Sequence, residues 1–192
     1  MDMLIAGLVI FLGVHSLRML AGGWRTRMRA RMGAGAWKGL YSLVSLAGLV
    51  LIVYGFDLAR EQPVLLWTPP AGLRHATSAL TLLAFVLLAA AYVPGNAIKA
   101  RVHHPMVLGV KTWALAHLLV SGMLAQQLLF GAFLLWAVAN FSASRRRDRR
   151  DGVSYAAGGM TATVITVVLG VAAWAAFAYG LHGLLIGIKP YG

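Results

Sequence analysis

Apolar residues run through long stretches of this chain, and the polar residues collect between them. Six such runs approach the ~20 residues needed to cross a hydrocarbon core of ~30 Å. They cover residues 3–20, 38–56, 75–93, 105–124, 126–141 and 161–188. Trp37 and Tyr41 at the start of the second run and Tyr54 near its end sit where an interfacial aromatic belt is expected. The punctuation is local. Trp24-Arg25-Thr26-Arg27-Met28-Arg29-Ala30-Arg31 forms a basic interfacial stretch after the first run. Pro63, Pro69 and Pro70 exclude a helix after the second. Pro94-Gly95 stops the third. His104-Pro105 opens the fourth, with proline in the first turn, where its missing N–H costs nothing. The turn into the fifth is very tight, and Arg145-Arg146-Arg147-Asp148-Arg149-Arg150 follows it. The pattern predicts an all-α integral membrane bundle of about six transmembrane helices. Residues 1–142 form a five-span core, 143–160 a basic loop, and 161–192 an additional C-terminal span. The first run lacks the basic n-region and cleavage site of a signal peptide, and reads as a retained helix.

Composition agrees: the chain is 60% apolar and 11% charged, whereas apolar residues make up just under half of a soluble domain. The charge then sets orientation. Of the 17 basic residues, Arg18, Arg25, Arg27, Arg29, Arg31, Lys38, Lys99, Arg101, Arg145, Arg146, Arg147, Arg149 and Arg150 flank the odd-numbered connections. Arg60, Arg74 and Lys189 stand on the other side, and Lys111 lies within a span. The positive-inside rule makes the odd connections cytoplasmic and both termini outward, which in a bacterium means periplasmic. The same rule accounts for the net charge of +12, so no nucleic-acid partner is expected. The absence of cysteine removes disulfides, thiolate metal sites and a cysteine nucleophile.

Ionisable groups inside a bilayer are costly and mark function by default. Acids are nearly absent from the spans, with Asp57 and Glu61 at the outer end of the second, so paired-carboxylate chemistry has no residues to use. Histidine is different. His15 lies in the first span and His117 in the fourth. Neutral imidazoles on two helices of a bundle are the usual axial ligands of a b-type haem; equally, each can make one hydrogen bond between helices. His15 shares its helix face with Phe11, Arg18 and Met19, and Arg18 can reach a haem propionate or snorkel to the interface. His117 shares its face with Trp113 and Ser121. His103 and His104 form a second candidate site at the mouth of the fourth span, suited to a metal, a helix start or a partner. His75 and His182 read as interfacial, and Gly183 and Gly187 as a packing pair. No span carries the interruption or charged pair of a transporter site.

Four stretches together carry a resemblance: Gly13-Val14-His15-Ser16-Leu17-Arg18, Lys38-Gly39-Leu40-Tyr41-Ser42-Leu43-Val44-Ser45, His104-Pro105-Met106 and Trp113-Ala114-Leu115-Ala116-His117-Leu118-Leu119. Their order and spacing resemble the NnrU family of bacterial membrane proteins, associated with denitrification and nitric oxide metabolism, over about residues 3–141. That family is in turn similar to 15-cis-zeta-carotene isomerase, an integral membrane enzyme with haem b. The resemblance implies haem b between the first and fourth spans and iron ligation by His15 and His117; helix-face spacing sets Arg18 and Trp113 beside that cofactor, and a bacterial inner membrane with a membrane redox partner is the expected setting. His104 matches a further histidine of the isomerase. Ala114 stands where the isomerase has a cysteine, which removes ligand exchange through a thiol. No residue is assigned a catalytic role. The expected function is nitrogen-oxide metabolism or redox sensing. The alternatives are a haem-dependent cis-trans isomerase of a lipophilic polyene, a non-catalytic accessory protein for a membrane oxidoreductase, and a membrane methyltransferase. The last rests on the loose likeness of Arg101-Val102-His103-His104-Pro105 and Gly109 to isoprenylcysteine-type enzymes.

Overall fold

A computed structural model describes residues 1–191. Helices account for the structure, and the only β pairings among the described residues are isolated bridges. In chain order they are α1 (Asp2–Leu20), α2 (Gly22–Met32), α3 (Ala34–Glu61), α4 (Leu73–Tyr92), α5 (Ala97–Val102), α6 (Pro105–Val120), α7 (Leu124–Asp151) and α8 (Met160–Ala176). A π-helical turn (Phe177–Leu181) and a short α9 (His182–Ile186) complete the last run.

Five helices are long and apolar enough to cross a membrane: α1, α3, α4, α7 and the combined Met160–Ile186. The remaining apolar run is the 16-residue α6. At ~1.5 Å per residue it reaches about 24 Å, short of a ~30 Å core. Leu43, Leu135 and Val168 are 66%, 73% and 60% exposed. Apolar side chains this bare, on helices this apolar, face lipid rather than water. The chain is a multi-pass membrane protein.

Two helices outrun their apolar stretches. α3 begins before Lys38 and continues through Asp57 and Glu61. α7 carries the Arg145–Arg150 run to Asp151, so the connection expected over 143–160 shrinks to 152–159. Arginine is a strong helix former, and five of the six residues of that run are arginine.

The chain folds as two units. The first comprises Met1–Pro69 with Ser121–Ala143. In it α1 lies antiparallel on α3 at backbone distance. A Cβ on Gly7 would stand 2.6 Å from the Ile52 nitrogen, and one on Gly48 would stand 2.8 Å from the Phe11 nitrogen. Leu4, Leu8, Ile52, Ala59 and Ala125 form the core, lined by Phe11, Phe56, Leu129 and Phe133. The loop after α3 is pinned to the start of α7: Leu66 N–H donates to Gly122 O (2.8 Å), Leu124 N–H to Val64 O (2.9 Å) and the Trp67 indole to Ser121 O (2.9 Å).

The second unit comprises Pro70–Val120 and the chain from Ser144 onward. Here α4 packs on both α6 and α8. Gly109 admits Ala84 and Leu88, Gly170 admits the Val86 backbone, and the Trp174 indole donates to Thr81 Oγ1 (3.1 Å). Asn96, 1% exposed, organises the α4–α5 corner. Its amide donates to Ala90 O (3.0 Å) and Val93 O, and its carbonyl caps α5 by accepting from Lys99 N–H (2.7 Å).

Candidate functional site

His15 sits in the last turn and a half of α1, half-buried in the first unit. Its Nδ1 bonds to the Phe11 carbonyl at 2.7 Å. A carbonyl oxygen only accepts, so Nδ1 carries a proton and donates. The ring lies 4.3 Å from that of Phe11, 5.5 Å from Tyr41 and 6.2 Å from Trp136, the last two edge-on. Leu4 meets Gly55, Gly7 meets Ile52 and Phe11 meets Gly48 along the antiparallel pair. One turn further, that register brings His15 to the turn of α3 that holds Ser45. Ser45 Oγ and Trp136 Nε1 are buried without a hydrogen-bond partner. Such groups normally find one. The surroundings of His15 are therefore aromatic. Arg18, on the same helix, is exposed.

His117 occupies the last turn of α6 in the second unit and repeats the device. Its Nδ1 donates to Trp113 O (2.9 Å), and the Trp113 ring lies 5.3 Å away. Ala114 and Ala116 beside it are fully buried, and Thr77 Oγ1 donates to Ala116 O (3.1 Å), tying this turn to α4. Each of these two histidines thus makes the same local bond, from Nδ1 to the carbonyl four residues before it.

His103 and His104 lie at the α5–α6 corner with different partners. His103 has φ 68 and ψ −45, the one positive φ outside glycine among the described residues. The His104 N–H reaches back to Val102 O (2.8 Å), closing a strained γ-turn around His103. Nδ1 of His103 accepts from Arg145, and its ring stacks on Tyr155 at 4.1 Å. Nε2 of His104 donates to Asp148 Oδ2 (2.7 Å), which also accepts the Tyr155 hydroxyl (2.9 Å). Among the described residues no three His, Asp or Glu side chains gather to hold a metal ion.

A family model described as NnrU protein matches residues 3–190, nearly the whole chain. The chain belongs to the NnrU family. The match runs past Phe141, where the likeness of motifs ends, and takes in the last span. No curated protein and no solved structure gives a significant match.

In this NnrU chain, motif reading singled out His15, His117, His103, His104, Arg18 and Trp113. It took Tyr41 for the aromatic belt and missed Trp136; packing of α3 and α7 brings both to His15. It also passed over Arg145, Asp148 and Tyr155 as parts of a solvated basic loop. One signal was available for Asp148: it is the acid set among five arginines. Its carboxylate joins three elements, so Asp148→Asn should free the 152–159 connection and the His104 corner. Proteolysis or hydrogen exchange at residues 152–159 should rise several-fold; unchanged protection would show that Asp148 does not hold the connection.

The same contact predicts a pH response. Burial, the hydrogen bond to Asp148 and its negative charge push the Tyr155 hydroxyl above the usual tyrosine value, against the pull of Arg145. A raised pKa in the folded chain means that the anchor is complete below about 10, the ordinary tyrosine value, and is lost as pH rises through the raised value. Tyrosinate absorbance should therefore report Tyr155 titrating late in the wild type and earlier in Asp148→Asn. Titration at the ordinary value in both would contradict the contact.

Proposed function

We propose that this NnrU-family protein binds haem b through Nε2 of His15 and of His117, in the bacterial cytoplasmic membrane, and serves nitrogen-oxide metabolism or redox sensing with a membrane redox partner. The observation that carries the reading is the shared tautomer. The Nδ1–H bonds to Phe11 O and Trp113 O orient both rings in the same way. Metal-ligating histidines are typically oriented by such a second hydrogen bond. The residues present fit the group. In the first unit Phe11 and Tyr41 offer aromatic surface beside His15, and in the second Trp113 does so beside His117. When bound, the haem iron would supply a one-electron couple and a site for nitric oxide. His15 and His117 would hold the iron. Phe11 and Trp113 would fix the ligand tautomers through their carbonyls.

The test is the visible spectrum of the full chain purified in detergent from cells supplied with haem precursor. A Soret band with sharp α and β bands after dithionite reduction supports the reading, and nitric oxide or carbon monoxide then reports whether one ligand can leave. A colourless protein overturns it and leaves the accessory role. A haem protein silent to both gases that converts a lipophilic polyene would place it with the isomerase.

A further inference from the structure

We propose that α2 is an interfacial helix that binds the phosphate headgroups of anionic phospholipids. It is independent of the haem reading. α2 follows the first span after a break at Ala21 (φ −134, ψ 43) and precedes α3 after Gly33 (φ 80). These breaks free it from the axis of either span. On its 11 residues, Trp24, Met28 and Met32 recur every four positions and share one face. At 100° per residue, Arg27 and Arg31 flank that face on one side, and Arg25 and Arg29 on the other.

An apolar stripe with arginines along both borders matches a helix lying at the boundary of headgroups and acyl chains: the stripe enters the membrane and the guanidinium groups turn up to the phosphates. The structure leaves the stripe partly bare. The Trp24 ring meets Trp37 edge-on at 6.0 Å, which fixes the helix beside the start of α3, yet Trp24 is 44% exposed and Met32 41%. Arg27, Arg29 and Arg31 are exposed, and none of the four forms an ion pair among the described residues. Protein acids do not neutralise this charge, so an external anion is the complementary partner. The occupant is a lipid because the stripe and arginines continue directly from two membrane-spanning helices. Planar guanidinium groups suit the phosphodiester of such a lipid, to which they donate in pairs.

The experiment is native mass spectrometry of the full chain in detergent, with dioleoyl-phosphatidylglycerol competing against dioleoyl-phosphatidylcholine. We expect retention of phosphatidylglycerol on the order of tenfold above phosphatidylcholine. The variant with Arg25, Arg27, Arg29 and Arg31 all replaced by Gln should lose that preference, and the corresponding Lys variant should keep most of it. Equal retention of the two lipids, or an unchanged preference in the Gln variant, overturns the proposal. Competition by millimolar inorganic phosphate as effective as that by the lipid would show a free-anion site and likewise overturn it. If the Gln variant fails to fold, the wild type still decides. Brominated phosphatidylglycerol should quench the fluorescence difference between wild type and Trp24→Phe more than brominated phosphatidylcholine does, and equal quenching would reject the site.

Discussion

His15→Ala and His117→Ala should each abolish the reduced α band and reduce haem retained per protein by about tenfold or more, the scale expected for loss of a metal ligand or its support. The structure explains why this effect should be separable from misfolding. Phe11 O and Trp113 O each accept the imidazole proton, but each also accepts the helical N–H of the residue four positions on. Truncating the imidazole therefore leaves no helix carbonyl orphaned. His75→Ala, on the exposed start of α4, is the matched control and should keep the full spectrum. Free imidazole added to either alanine variant should restore part of the absorbance, because the gap it fills is ring-shaped and its tautomer is no longer constrained. If both variants retain the wild-type spectrum, the iron ligands lie elsewhere. If only one loses it, a single histidine holds the iron and the other is a packing residue.

What could be read from the sequence, and what could not, divides along a physical line. Hydropathy finds where a chain meets lipid, so all six apolar runs reappear as helices. Proline and glycine mark breaks, as at Pro94-Gly95, where α4 has ended at Tyr92. Hydropathy does not find where a helix ends in water, and so the helical Arg145–Arg150 stretch was read as a loop. The same limit hid α2, which is too basic to count as a span. Intramembrane histidines stand out because burying any ionisable group is costly. Their neighbours do not, because Tyr41 and Trp136 reach His15 only through tertiary packing, and Asp148 reaches His104 across 44 residues. The tautomers, by contrast, follow from i−4 carbonyls and are local facts of helix geometry.

Gly7→Ala should lower the thermal stability of the protein in detergent, while Gly13→Ala on the same helix should leave it unchanged or raise it. A Cβ on Gly7 would stand 2.6 Å from Ile52 N, 2.8 Å from Leu51 C and 3.0 Å from Gly48 O. All three are backbone atoms of α3, so no side chain can swing aside. Relief requires α1 and α3 to separate. Between lipid-embedded helices close approach is itself the main source of attraction, since lipid tails solvate apolar side chains as well as the protein does. Separation would also part Leu4 and Leu8 from Ile52 in the core. The cost is about 1–3 kcal/mol, the usual range for overpacking. A Cβ on Gly13 meets nothing within 4 Å. There the substitution only exchanges a poor helix former for a good one, a gain of up to about 1 kcal/mol. Gly48→Ala probes the other side of the same contact, against Phe11 N at 2.8 Å. Combined with Gly7→Ala it should cost less than the sum of the two, because helices already forced apart by one methyl group have room for the second. Thermal unfolding that ranks Gly7→Ala level with Gly13→Ala would mean that α1 and α3 do not touch at backbone distance, and the register that brings Ser45 to His15 would fall with it.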